Sequence, residues 1–381
     1  MKKVLNIVPY PYLPYFSGGQ KLIAHFNHYL GEQCVLHIAC TADNDATLAD
    51  TYTFHPILKK SRFRYADIGS FFRIKELIKK EQIDTVIIEH PYFGWLGWLL
   101  KVNCKIKLIV HTHNVEYERF RTLGKSWWPV LKMYENFVLR KADKVFCITE
   151  DDRQWMINNM NLQAGKCIVV PYGITQKQMP NDKHLCKKAV AARHHFNPQH
   201  AMFLFNGLID YKPNLDALNI ILQHINPLLL KSNLQYNILI TGKRLPAEMN
   251  ELKAWSHEHV HYAGFVDDID LYFKAADLFL NPVQSGGGVK TKMIEAIACG
   301  TTVISTETGA IGIEPAITGE KLIIVSNNDW NGFTDAVLKT AHQQTDTPAA
   351  YYEYYNWEQI AQKIVEVIAE QLPSDAGISR G

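Results

Sequence analysis

No stretch of this 381-residue chain is long and apolar enough to span a bilayer. The longest apolar run, Pro91 to Leu100, carries two glycines and falls well short of the roughly 20 residues a membrane helix needs. Lys2 and Lys3 open the chain as a signal peptide would. However, Pro9, Pro11 and Pro14 interrupt the apolar stretch behind them, and no small-residue cleavage site follows. The seven cysteines, at 34, 40, 104, 147, 167, 186 and 299, lack metal-ligand spacing, are odd in number and sit mostly in apolar runs. They read as reduced core thiols of a cytoplasmic protein. There is no low-complexity tract and no cluster of carboxylates suited to a divalent cation. A secreted protein and an integral membrane protein are thus both excluded, and no metal is expected.

What remains is the composition of an ordinary globular protein, with 47% hydrophobic and 20% charged residues, long enough for two domains. The formal charge of +2 gives no reason to expect a nucleic-acid partner, but it is unevenly spread. Residues 1–170 hold 23 Lys and Arg against 16 Asp and Glu, and the remainder holds 17 against 22. Either this is ordinary surface decoration, or the first half faces something anionic such as a membrane. Apolar strand-like runs at Val4–Val8, Val35–Ala39, Thr85–Glu89, Lys107–Val110, Val145–Ile148 and Cys167–Val170 alternate with helical patterns, while 41–70 reads as polar and irregular. After a Pro/Gly break at Pro171 to Gly173 the alternation starts again. The expected class is α/β: two Rossmann-like, doubly wound domains, 1–170 and 171–356, facing across a cleft. A last amphipathic helix, about 357–371, packs back on the first, and Pro373 to Gly381 form a frayed tail.

The most informative stretch runs from Ser285 to Gly300. An apolar strand feeds Gly286-Gly287-Gly288, then Val289, Lys290 and Lys292 at the start of a helix that Gly300 can end. A glycine turn, helix amides and two cations suit a pyrophosphate. Glu295 does not fit a phosphate site. About two helical turns in, roughly 10 Å along, it suits the hydroxyls of a sugar. The combination fits a nucleotide sugar. In the first half, a strand ends in His111-Thr112-His113-Asn114-Val115-Glu116, where doubly wound folds keep their chemistry. His113 is either functional or a hydrogen-bonded structural residue. From Trp127 to Arg140 helical spacing of apolar residues, flanked by Lys132, Arg140 and Lys141, describes a core-facing helix or a basic interfacial one.

The order of these landmarks resembles the retaining glycosyltransferase family 4, of the GT-B fold, over nearly the whole chain. The matching residues are Ser17-Gly18-Gly19, Thr112 to Glu116, Ala142 to Val145 with Glu150, Val170 to Gly173, Asn206 to Tyr211 with Pro213-Asn214, Gly264-Phe265-Val266, Gly288 to Gly300, and Gly309 to Gly312. The resemblance implies a nucleoside-diphosphate-sugar donor held mainly by the second domain and a glycan or lipid-linked acceptor on the first. It also implies retention of anomeric configuration, without a cofactor or metal. It gives Glu295 the role of the second carboxylate of a paired-glutamate motif, holding the donor ribose; the first falls at Gly287. An arginine of many relatives is Leu208 here, and a lysine falls at Pro213 beside Lys212. The phosphate charge then rests on Lys290, Lys292 and Lys243. His113 touches the donor sugar or orients the acceptor, the backbone near Phe265 and Val266 reads the base, and Gly18, Gly19, Gly207, Gly287, Gly288 and Val289 approach the donor. Two other readings stay open: a catalytically silent nucleotide-sugar-binding subunit, and a sugar-nucleotide epimerase on the same scaffold.

Overall fold

The computed structural model describes residues 2–370. The chain divides into two compact units, one running from the N terminus to Gly173 and resuming at Trp357, the other Ile174–Asn356.

The first unit is built on seven parallel strands. They are β1 (Lys3–Ile7), β2 (Val35–Thr41), β3 (Thr53–Leu58), β4 (Thr85–Glu89), β5 (Lys107–Thr112), β6 (Lys144–Cys147) and β7 (Cys167–Val169), in the order β3-β2-β1-β4-β5-β6-β7. The inner strands of a sheet covered on both faces read as near-continuous apolar runs, and all five residues of β4 are buried. Helices α1 (Gly18–Gln33), α2 (Ile68–Glu81), α3 (Gly94–Cys104), α4 (Glu116–Thr122) and α5 (Trp128–Lys141) supply the connections. Strand β3 overturns the irregular reading of 41–70. It lies at the sheet edge, where Pro56 costs no ladder hydrogen bond. The helix Trp357–Ala369 does return to this unit. Trp357, Ile360, Ala361, Ile364, Val367 and Ile368 form its buried stripe, and Trp357 stacks on His25 and Tyr29 of α1. A Cβ at Gly173 would strike the Trp357 ring, so the close fit at the unit boundary needs glycine. The last residue of the expected helix, Gln371, and the expected tail 373–381 lie outside the described residues.

The second unit has six parallel strands: β8 (Ala201–Asn206), β9 (Tyr236–Thr241), β10 (Val260–Gly264), β11 (Leu278–Asn281), β12 (Thr302–Thr306) and β13 (Leu322–Val325), in the order β10-β9-β8-β11-β12-β13. The helices used below are α6 (Lys183–His194), α7 (Lys212–Ile220), α8 (Thr291–Ala298) and α9 (Ala349–Tyr355). Each sheet reverses its strand order once, at β1/β4 and at β8/β11. Such switch points open a crevice beyond the strands' carboxyl ends, and both candidate residue clusters lie there. Among the described residues no helix is long and apolar enough to cross a membrane.

Candidate active site

In the second unit the loop after β11 turns through Gly286 (φ 89°) and Gly288 (φ 78°), conformations that glycine alone adopts without strain. Helix α8 begins at Thr291, later than the sequence suggests, so Lys290 is its N-cap and Glu295 its fifth residue, little more than one turn in. Lys290 Nζ donates to the carbonyls of Gly286 (3.0 Å) and Gly288 (2.8 Å), folding the cation back over the turn. Lys292 Nζ donates to the Asn206 carbonyl (2.8 Å) and Asn214 Oδ1 (3.2 Å), and lies 4.8 Å from the Phe205 ring centroid. Lys292 therefore joins the start of α8 to the end of β8. Both ammonium groups rest on neutral acceptors. Burial pushes Lys290 down to about 8, and burial with the neighbouring Lys290 pushes Lys292 down to about 7.

The ends of β8, β9 and β10 are drawn together by backbone. Gly207 N donates to Thr241 O, and Gly242 N to Gly264 O. A Cβ on Gly242 (φ 140°) would collide with the Gly207 carbonyl. Just beyond, Lys243 Nζ sits 3.9 Å from the Phe265 ring centroid, with Phe265 exposed and Val266 half-buried behind it. Gly207, Gly286, Gly288, Val289, Lys290, Lys292, Lys243, Phe265 and Val266 thus lie along adjacent strand ends, with Gly287 exposed at the tip of the turn. Lys212 departs from this pattern. It is 82% exposed and paired with Asp216 at 3.0 Å.

The far end of α8 is clasped by residues from distant parts of the chain. Gly300 (φ 76°) and Thr301 close a Schellman motif, their N–H groups donating to Ile297 O and Ala296 O. Tyr351 OH then donates to Ile294 O (2.8 Å), Thr347 Oγ1 to Ile297 O (2.7 Å), Tyr352 OH to Ala298 O (2.9 Å), Lys183 Nζ to Cys299 O (3.2 Å) and Lys321 Nζ to Gly300 O (2.8 Å). Orphan carbonyls of a helix end normally take water or a cap. Here hydroxyls and two buried ammonium groups take them, and cations suit the negative end of the helix. The helix that carries Lys290, Lys292 and Glu295 is therefore fixed from behind. None of these five residues is legible as a site residue in sequence, since they meet α8 only through the fold.

In the first unit, strand register pairs Glu89 with His111 at the ends of β4 and β5. Glu89 is fully buried. Its Oε2 accepts from His113 Nε2 at 2.6 Å and lies 3.0 Å from His111 Nδ1, and its Oε1 accepts from Asn6 Nδ2 at 2.8 Å. Burial by itself would raise the Glu89 carboxyl, but His111 and His113 hold it well below the usual carboxylate range. Burial and the nearby His90 push His113 down to about 3, so it is neutral and donates its Nε2–H to an ionised carboxylate. The His90 and His113 ring centroids are 4.0 Å apart, and His90 has φ 62°, a strained backbone for a non-glycine residue of the kind that clusters at functional sites. Tyr10 OH lies 2.8 Å from His90 Nε2. Below them Glu116 accepts from Tyr92 OH (2.6 Å) and Arg119 (2.8 Å), and Glu135 of α5 caps the first amides of α4 at Glu116 and Tyr117. Atoms of Glu89, His111 and His113 that are able to bind a metal lie within 4.8 Å of one another. Glu89 and His113 are joined directly by their 2.6 Å hydrogen bond. Gly18 and Gly19 open α1 behind the N-cap Ser17, whose side chain accepts from Gln20 N.

Comparison with known proteins decides what this arrangement belongs to. The model of "Glycosyltransferase Family 4" matches residues 16–178 and that of "Glycosyl transferases group 1" matches 200–343, together most of the chain. The chain belongs to the group 1, family 4 glycosyltransferases. The O-antigen biosynthesis glycosyltransferase WbnH of Escherichia coli is 21% identical over 320 residues, 83% of this enzyme and 85% of that protein. The UDP-Gal:alpha-D-GlcNAc-diphosphoundecaprenol alpha-1,3-galactosyltransferase of Escherichia coli is 26% identical over 168 residues, 42% and 43% of the two chains. HepE of Anabaena, solved in complex with UDP-glucose, has the same fold, with a TM-score of 0.68 over 97% of this chain and 99% of that one at 14% identity. The enzyme is a glycosyltransferase of the GT-B fold.

The lysine chemistry of this glycosyltransferase has a pH signature. A diphosphate ester keeps its charge across neutral pH, whereas Lys292 and Lys290 lose theirs through about 7 and about 8. Donor binding that needs both ammonium groups takes up protons. If the donor's phosphates rest on both lysines, its affinity is expected to be full only well below pH 7 and to fall as pH rises through 7 to 9, by up to about tenfold per lysine per unit. Titration calorimetry in buffers of different ionisation enthalpy reads the proton uptake directly. A donor affinity flat from pH 6.5 to 9 would show that the lysines do not hold the phosphates.

Proposed function

We propose that this glycosyltransferase moves a hexosyl unit from a nucleoside-diphosphate sugar to a hydroxyl of a glycan or lipid-linked acceptor, with retention of anomeric configuration. The setting is cell-surface polysaccharide or glycolipid synthesis on the cytoplasmic side. The second unit holds the donor and the first the acceptor. The observation that carries this reading is the pairing, on one clasped helix, of two cations at the N terminus with Glu295 about a turn further in. A phosphate-only site has no use for that carboxylate, and a nucleotide sugar has hydroxyls for it. The relatives' names support the same direction, one in O-antigen biosynthesis and one with a galactosyl donor and a diphosphoundecaprenol acceptor. So does the UDP-glucose bound by HepE.

As the glycosidic bond breaks, negative charge builds on the leaving diphosphate. Lys290, Lys292 and the first amides of α8 stabilise it, the preorganised electrostatic effect that usually dominates catalysis. Glu295 accepts from the ribose hydroxyls, Lys243 adds its charge toward the phosphates, and the backbone at Phe265 and Val266 reads the base. His113, kept neutral by burial and the nearby His90, touches the donor sugar or orients the acceptor. Protein cations supply the charge, so the proposal needs no metal or cofactor.

A thermal-shift panel of UDP, GDP, ADP and their sugars tests this reading. The correct donor at 100 times its dissociation constant is expected to add about 2.7 kcal/mol. The Glu295→Ala variant should lose most of that gain with the nucleotide sugar. A panel without any stabilising nucleotide, or a Glu295→Ala response equal to wild type, would contradict the reading.

A further inference from the structure

Helix α5 and the segment entering it present an unusual outer surface. Trp127, Val130, Met133 and Phe137 follow helical spacing and are all exposed, Val130 by 69% and Met133 by 75%. Ordinary connecting helices turn such a stripe inward. This one buries Val138 and Leu139 on its other side and leaves the second apolar stripe uncovered. The exposed charges around the stripe are cationic. Arg121 and Lys125 precede it, and Arg140 and Lys141 are exposed at its end. The one acidic residue of α5, Glu135, is buried and committed to the amides of Glu116 and Tyr117. Glu118 is already paired with Arg121 at 2.7 Å.

A second exposed group, Phe63, Ile68 and Phe72, accompanies Arg62 and Arg64. It is linked to α5 through Trp95, whose Nε1–H donates to the Tyr65 carbonyl (2.8 Å) and whose backbone N–H donates to Tyr134 OH (3.1 Å).

We propose that the exposed face of α5, with the segment 121–127 leading into it, docks on an anionic lipid bilayer. Trp127, Val130, Met133 and Phe137 enter the headgroup boundary, and Lys125, Arg140 and Lys141 meet the lipid phosphates. The occupant follows from charge complementarity. An apolar stripe flanked by the exposed charges of Lys125, Arg140 and Lys141 would repel a second copy of itself, whereas an interfacial helix of this composition gains from burial and from anionic headgroups together. None of the exposed side chains of this surface is assigned to the donor or histidine cluster, so the proposal adds to the transfer reaction and stands without it.

Co-sedimentation of the full chain with vesicles tests it. The wild type is expected to bind vesicles of phosphatidylglycerol and phosphatidylcholine, to ignore pure phosphatidylcholine, and to be released by high salt. A Val130→Asp/Met133→Asp variant should bind the anionic vesicles at least tenfold more weakly. Because both side chains are exposed, its Tm and its thermal-shift response to the donor should match wild type, which separates this test from that of the donor site. Indifference of the wild type to anionic vesicles, or undiminished binding by the variant, would overturn the proposal. So would a wild-type dimer in sedimentation that the double substitution dissolves, since the stripe's occupant would then be a second copy of the chain.

Discussion

Replacing Lys292 by alanine is expected to lower kcat by roughly 100–1,000-fold, the usual cost of losing one preorganised group aimed at developing charge. The physical reason lies in how the ammonium is held. It rests on a carbonyl and an amide oxygen, with aromatic rings of Phe205 and Phe279 beside it. Neutral acceptors leave its charge available to a ligand, and burial makes it reluctant to ionise until an anion arrives. On the proposed mechanism its contribution is greatest where negative charge is greatest, on the leaving diphosphate. Accordingly kcat and kcat/KM should fall together, while a rise in KM alone would mean that Lys292 only binds the ground state. The stability prediction runs the other way. Removing a cation that burial disfavours should leave Tm unchanged or raise it, a trade expected where function holds a group against its solvation preference. Lys212→Ala is the matched control. Its ammonium is exposed and paired with Asp216, so its loss should change turnover less than twofold.

Substituting Glu89→Gln is expected to cost activity on the order of 100-fold, the scale set by misplacing a reacting group by about 1 Å. Stability should fall by about 1–3 kcal/mol for each buried donor left without an acceptor. The carboxylate accepts from Asn6 and His113 and stands beside His111, all of them buried. A glutamine brings its own N–H groups into this ring of donors, so at least one partner is orphaned. His113 then loses the acceptor that fixes its tautomer and ring orientation. Denaturant unfolding and turnover by the folded fraction separate the two effects. Full turnover by folded Glu89→Gln enzyme would reduce the cluster to a structural role.

These two residues mark where the sequence was readable and where it was not. Lys292 stands in a local pattern of strand, glycine turn and helix start, and local patterns survive into the structure: Gly300 closes α8 as the spacing suggests. Placing the helix start at Thr291, rather than just behind the glycines, changes only how deep Glu295 sits. Glu89 was visible only as the end of a strand. Its role comes from the β4/β5 register, which sets it opposite His111, and from a reversal of strand order that brings Asn6 alongside. The clasp on α8 is further removed, with Tyr351 and Tyr352 reaching back more than fifty residues to Ile294 and Ala298. Strand β3 escaped for a different reason. Pro56 and partial exposure blur its pattern, and an edge position tolerates both.

Retaining sugar transfer is read out by following donor and product together by proton NMR, with the nucleotide sugar that the binding panel selects and a matching acceptor glycan. The expected result is one nucleoside diphosphate released per sugar transferred, with the new linkage in the donor's anomeric configuration. A product of inverted configuration, or a changed sugar formed from donor alone without acceptor, would contradict it.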